Sequence, residues 1–325
     1  MVFRLKPIPP TVHGTLPLVS IIMPTFNHAL YIRDAIESVL RQTYRNWELI
    51  IVNNYSKDDT KNIVGEYLGD RRIRIFDFRN NGIIAASRNF GIRAASGDMI
   101  AFLDSDDLWL PEKLESQISF LATHPRIDLV CSNGWYYPRR MALSRTVIRR
   151  KTGVVHTGEL VCGNPVVNSS VLVRAGIVRN LGPMSEDPFL RASEDYEYWI
   201  RMSVHHDGLL FYDSRCLISY RVHDSNVLST IESGKMDTIY LLQRKRVFRI
   251  LSSYRPWLDH GLLKKAFHCW VERTQRSILE DRLRQGTIRV VDALRFPAVP
   301  SKLRVLAVGK SFAISIRRAL LQRSA

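Results

Sequence analysis

Apolar residues in the first third of the chain recur in two alternating rhythms. Leu18-Val19-Ser20-Ile21-Ile22-Met23 is a short β-branched run closed by Pro24, the pattern of a strand buried on both faces. Residues 30–42 then carry Leu30, Ile32, Ala35, Ile36, Val39 and Leu40 at helical spacing. The alternation repeats with a strand over 47–52, a polar loop from Asn53 to Thr60 and a helix to residue 68. A strand over 73–76 leads to the turn Asn80-Asn81-Gly82, where glycine tolerates positive φ, and then to a helix over 83–95. Met99-Ile100-Ala101-Phe102-Leu103 reads as the most buried strand of the set. Such an order predicts an α/β fold with a mainly parallel central sheet and right-handed crossovers.

Farther on, 108–121 reads as a helix with Pro111 in its first turn, and 127–131 as another strand. Segment 147–175 mixes strands with Gly-Asn-Pro and Asn-Ser-Ser turns, 193–206 reads as an amphipathic helix, and 209–222 as one or two strands. From residue 236 the pattern is helical and basic, with no internal repeat or low-complexity tract.

With 325 residues and 46% hydrophobic content, the chain has room for one large domain and an appendage. The expected division is an N-terminal arm over 1–16, an α/β domain over 17–230 and a basic helical region over 231–325. No apolar run reaches the ~18 residues of a spanning helix, and the N-terminus lacks the apolar core of a secretion signal, so a cytoplasmic location is expected. Cys131, Cys162, Cys216 and Cys269 form no closely spaced pair and read as reduced, mostly buried thiols.

The net charge of +16 is uneven: residues 236–325 hold 19 Lys+Arg against 6 Asp+Glu, whereas 1–235 hold 28 against 25. That asymmetry points to an anionic partner for the tail, or to a solvated basic face on a helical appendage. Residues 305–321 mix apolar and cationic positions as an interfacial helix does, which suggests peripheral attachment to the inner face of the plasma membrane; a helix packed on the core has the same pattern. Nucleic-acid binding is not expected, because the tail has few aromatics and no known module. A dehydrogenase is disfavoured, since no Gly-x-Gly-x-x-Gly follows the first strand.

The chemistry centres on Asp104-Ser105-Asp106-Asp107, at the carboxyl end of the 99–103 strand, where open α/β sheets bind ligands. Two carboxylates in Asp-x-Asp spacing can hold a hard cation that also grips phosphate oxygens. The same residues can cap a helix starting near Leu108, and spacing leaves both readings open. Glu194-Asp195 opens a predicted helix, where a carboxylate is a routine cap.

Several blocks together resemble the family 2 glycosyltransferases over most of residues 18–225. They are Val19-Ser20-Ile21-Ile22-Met23-Pro24-Thr25-Phe26-Asn27, Ser38-Val39-Leu40-Arg41-Gln42-Thr43-Tyr44, Arg88-Asn89-x-Gly91-Ile92 and Phe102-Leu103-Asp104-Ser105-Asp106-Asp107. Glu194-Asp195-Tyr196 with Trp199 and Arg201, and then Tyr220-Arg221-Val222-His223, complete the series. Their order and separation are far more specific than any one motif.

The resemblance implies a GT-A type nucleotide-binding fold and an inverting, metal-dependent transferase that uses Mn²⁺ or Mg²⁺ and a nucleotide-sugar donor. The acceptor would be a glycan or lipid-linked glycan, as in cell-surface polysaccharide synthesis. It also implies that Pro24, Thr25 and Asn27 shape the loop beneath base and ribose, with Asn53 beside the base. Arg88 would reach the diphosphate, Asp104 would contact ribose or metal, Asp106 would be the principal metal ligand and His223 a further one. Asp195 would be the catalytic base, with Glu194 in reserve. The chain departs from the family at Asn53-Asn54-Tyr55-Ser56, where Asp, then Asp or Asn, then Gly-Ser is usual. Asn keeps an acceptor carbonyl but loses the charge, so the base stays open, and Tyr55 deprives the turn of a glycine's freedom. That departure also sustains the alternative of a catalytically impaired nucleotide-sugar-binding or scaffold protein.

Overall fold

The computed structural model describes residues 16–137, 146–160, 163–205 and 209–223. The basic helical region expected over 231–325, including the interfacial segment 305–321, lies outside the described residues, as does most of the expected N-terminal arm. The elements β1 (Val19–Thr25), α1 (Ile32–Leu40), β2 (Trp47–Asn53), α2 (Thr60–Gly65), β3 (Ile73–Asp77), α3 (Ile84–Ala94) and β4 (Met99–Phe102) follow the alternation read from the sequence. After them come β5 (Leu108–Trp109), α4 (Lys113–Thr123), β6 (Ile127–Tyr137), β7 (Gly153–Val155), α5 (Thr157–Leu160), β8 (Leu172–Arg174), α6 (Ala175–Leu181), α7 (Glu194–His205) and β9 (Leu209–Arg221).

The strands form one sheet in the order β3-β2-β1-β4-β8-β6-β9-β5, with β7 paired to β9. β1, β2, β3, β4, β6 and β9 run one way, and β5, β7 and β8 run the other. Helices cover both faces. Val19, Ile21 and Met23 of β1 pack with α1 and α4 on one side, while Ile22 faces α3, α6 and α7 on the other. Alternate side chains of a strand point to opposite faces, so a β1 buried on both sides must be apolar throughout its centre. Each fully buried aliphatic side chain of this kind contributes roughly 1.5–3 kcal/mol.

Strand order reverses at β1, which has β2 on one side and β4 on the other. The crevice beyond the carboxyl ends of β1 and β4 is therefore where a ligand fits. One expected element is corrected: residues 108–121 are not a single helix. Leu108 and Trp109 pair with Ser219 and Ile218 of β9, and the helix begins only at Lys113. Pro111 disfavours the α conformation at Leu110, which leaves 108–110 extended and free to pair. Two further strands run longer than read from the sequence: β1 continues through Pro24 to Thr25, and β6 reaches Tyr137.

Candidate functional site

The β5–β9 pairing builds the acidic loop. Because the pair is antiparallel, stepping back from Leu108 toward Asp106 matches stepping forward from Ser219 toward Arg221. Arg221 thus donates its backbone N–H to Asp107 Oδ1 at 2.9 Å and its Nε–H to the Asp106 carbonyl at 2.8 Å. Asp107 Oδ2 accepts the Ser169 hydroxyl at 2.5 Å, and the side chain is only 2% exposed. Burial, reinforced by the charges of Asp106 and Asp104, holds its carboxyl well above the usual range. Asp107 therefore fastens the loop instead of facing a ligand as an open acid.

Beyond the strand, His223 Nε2 lies 2.9 Å from Asp106 Oδ2, and Tyr31 stacks on its ring at 4.3 Å between centroids. His28, from the loop after β1, contacts the Ser105 hydroxyl through Nδ1 at 2.7 Å. Burial keeps His28 below the ordinary imidazole range although Asp106 pulls the other way. Sequence reading passed over His28; its place directly after Pro24-Thr25-Phe26-Asn27, in the first strand–helix loop, was the signal available.

Arg88 projects from α3 and is 3% exposed. One terminal nitrogen meets Asp104 Oδ1 at 2.8 Å and the other meets Glu194 Oε1 at 2.6 Å. Burial works against the guanidinium charge, but the two carboxylates outweigh it and hold the group protonated. Arg88 thus clamps the acidic loop to the start of α7. Glu194 Oε2 also accepts the Ser193 N–H, so that carboxylate is engaged at both oxygens. The neighbouring Asp195 accepts the Tyr196 N–H and lines the cavity. Burial and the adjacent Glu194 push its carboxyl up to about 7, with Arg88 opposing.

On the nucleotide side expected from the sequence, Asn27 adopts φ 53° and its Oδ1 accepts the Lys57 N–H at 2.8 Å, joining the loops after β1 and β2. Asn53 is buried, takes the Ser56 N–H and hydroxyl on Oδ1 and donates Nδ2 to Asp77. Its polar atoms are spent inside the protein, and it is Asn54 that lines the cavity, fixed by accepting the Asn80 N–H at 3.0 Å. Tyr55 takes φ 52° where a glycine was missed. A non-glycine residue held there costs on the order of 1 kcal/mol.

Pro24, Thr25, Asn54, Arg88, the 104–107 loop, Asn168, Glu194 and Asp195 surround one cavity of about 550 Å³. The separated sequence blocks thus converge on a single chamber. Among the described residues no three His, Cys, Asp or Glu groups form an all-protein metal cage. Asp106 and His223, 2.9 Å apart beside the cavity, offer one carboxylate and one imidazole, while the partly exposed Asp104 is paired with Arg88. Mg²⁺ and Mn²⁺ are commonly held by one or two protein ligands together with substrate phosphates and water, and these residues fit that arrangement.

Residues 20–155 match the family model described as glycosyl transferase family 2. A Rickettsia typhi protein, the uncharacterized glycosyltransferase RT0329, is 31% identical over 219 residues, covering 66% of this chain and 67% of that protein. WfgD of Escherichia coli, a UDP-Glc:alpha-D-GlcNAc-diphosphoundecaprenol beta-1,3-glucosyltransferase, is 47% identical over 104 residues, 32% of this chain and 41% of WfgD. The solved structure of the mannosyltransferase PcManGT from Pyrobaculum calidifontis, in complex with GDP-Man and Mn²⁺, superimposes with a TM-score of 0.56 at 15% identity, over 93% of this chain and 81% of that one. At that identity the likeness shows the shared GT-A fold.

Proposed function

The chain belongs to glycosyl transferase family 2, and from that premise we propose that it moves one sugar from a nucleoside-diphosphate donor to an acceptor hydroxyl with inversion at the anomeric carbon. The proposed donor is a UDP or dTDP sugar, and the acceptor a glycan or lipid-linked glycan in cell-surface polysaccharide synthesis; the similarity to WfgD supports both. The observation that carries the reading is the single cavity shared by the acidic loop and Asp195.

Asp195 is the proposed base. Burial and the adjacent Glu194 push its carboxyl up to about 7, where a group can be ionised and still take a proton effectively. The acceptor hydroxyl gives its proton to Asp195 as its oxygen attacks the anomeric carbon. The bond from that carbon to the donor phosphate oxygen breaks, and the electron pair leaves on the nucleoside diphosphate. Glu194, committed to Arg88 and the Ser193 N–H, is the weaker candidate. Arg88 holds Asp104 and Glu194 in place and lines the cavity, where the proposed diphosphate would meet it.

Asp106 and His223, with Asp104, would hold Mn²⁺ or Mg²⁺, which when bound supplies charge neutralisation for the diphosphate. The Mn²⁺ and GDP-Man in PcManGT support a divalent metal beside a sugar nucleotide. Thr25 and Asn54 line the proposed base and ribose end, with Asn27 and Asn53 fixing the loops beneath it. The deciding experiment titrates UDP-, dTDP- and GDP-sugars with and without Mn²⁺ and follows donor hydrolysis. Metal-dependent binding of at least one donor is expected, and binding of none would overturn the enzyme reading.

A further inference from the structure

Asn168 is 7% exposed and lines the cavity, yet among the described residues neither Nδ2 nor Oδ1 has a hydrogen-bond partner. Buried side-chain amides are nearly always paired, and leaving both ends unmade is costly to the free protein. The amide is not loosely placed. It stands in the 3-10 turn Asn168–Ser170, in which Ser169 accepts the Trp109 indole N–H on its carbonyl at 2.7 Å and gives its hydroxyl to Asp107. Ser170 completes the lock: its carbonyl accepts the Gln117 amide at 2.9 Å and its hydroxyl accepts the Ser132 N–H at 3.1 Å. A rigid turn therefore fixes one buried donor and one buried acceptor in a residue that lines the chamber.

We infer that Asn168 recognises hydroxyls of the transferred sugar and helps set which sugar the enzyme accepts. The inference rests on the donor reading above. A sugar hydroxyl both donates and accepts, so two neighbouring hydroxyls satisfy Nδ2 and Oδ1 together. Ionised phosphate oxygens only accept and leave Oδ1 unpaired. Topology separates the sugar from the base. In the sheet order β2-β1-β4-β8, the proposed nucleotide loops follow β1 and β2, the acidic loop follows β4, and the Asn168 turn precedes the antiparallel β8 on the far side. A donor whose diphosphate lies at the acidic loop, with its base toward β1 and β2, directs its sugar toward Asn168 and Asp195.

The test compares wild type with Asn168→Ala by calorimetric titration in Mn²⁺, using UDP, dTDP and GDP, then UDP-glucose, UDP-galactose, UDP-N-acetylglucosamine, dTDP-glucose and GDP-mannose. The variant is expected to bind the nucleoside diphosphate within about twofold of wild type. The extra affinity conferred by the sugar, and the hydrolysis rate, should each fall about tenfold, the scale of one lost hydrogen-bonding group. Because the amide makes no bond among the described residues, the ligand-free Tm should hold or rise. An undiminished sugar increment, or a Tm several degrees lower, overturns the assignment; if Asn168→Ala is insoluble, Asn168→Ser carries the same comparison. Failure of wild type to bind any probe sinks the donor reading and this inference with it, whereas wild-type binding with an unchanged increment in the variant sinks this inference alone.

Discussion

Two adjacent carboxylates at the start of α7 have opposite assignments, set by what each touches. Glu194 is held by Arg88 and a backbone N–H, whereas Asp195 faces the cavity with its pKa raised to about 7. Asp195→Asn should reduce transfer at least about a thousandfold, while donor affinity measured by titration stays within about threefold. Wild-type kcat/KM should rise with pH through about 7 and then level off, because the base must be ionised. Stability runs the other way. The folded pKa exceeds the ordinary 3.8, so the folded state retains a proton that the unfolded state has released between pH 4 and 7. Asp195 thus favours folding at the acid end, and that contribution is lost as pH rises through 7. Asp195→Asn should consequently raise Tm at pH 8 by about 2–4 °C, and a lower Tm would falsify this account of the shift. Asp106→Asn should give the complementary phenotype, with Mn²⁺-dependent donor binding weakened at least about tenfold; donor affinity that ignores the substitution would remove Asp106 from the metal set.

Among the elements, α3 carries the positional burden. Arg88 joins it to the acidic loop and to α7, and Asn89 pins the preceding connection by donating Nδ2 to the Met184 carbonyl and accepting the Met184 N–H. Removing Arg88 leaves two carboxylates facing each other without a cation. Arg88→Ala is expected to destabilise the protein by about 3–5 kcal/mol, read as a drop in the urea midpoint. A loss below 1 kcal/mol would show that the clamp is dispensable. One turn farther, Gly91 lets α3 approach β1: a Cβ there would stand 2.5 Å from Ile22 Cγ2, on a β-branched side chain with little freedom to move. Gly91→Ala should cost about 1–3 kcal/mol through overpacking, seen as a Tm lower by at least about 3 °C, and an unchanged Tm would contradict so close an approach.

At the scale of the whole molecule, the acidic site and the basic tail suggest an enzyme brought to an anionic surface. No described helix is long and apolar enough to cross a membrane. Peripheral attachment through the tail remains our proposal. The full chain should co-sediment with vesicles containing anionic lipid, each Lys or Arg near the surface contributing about 1 kcal/mol, and truncation at residue 285 should weaken this at least about fivefold. Equal co-sedimentation of both forms would remove the tail from that role. As for legibility, the strand–helix alternation and the acidic strand end were written in the sequence, because burial on both faces of a parallel sheet demands continuous apolar runs that end where ligands bind. The roles within the site were not so written. That Arg88 clamps carboxylates, that Asn53 is consumed by Ser56 and Asp77 and that 108–109 is a strand all depend on partners 3 to 111 residues away, and no local pattern tells that the Asn168 amide finds none among the described residues. Local pattern specifies which faces of an element are buried; only the tertiary structure decides which polar groups are satisfied by the protein and which are left for a ligand.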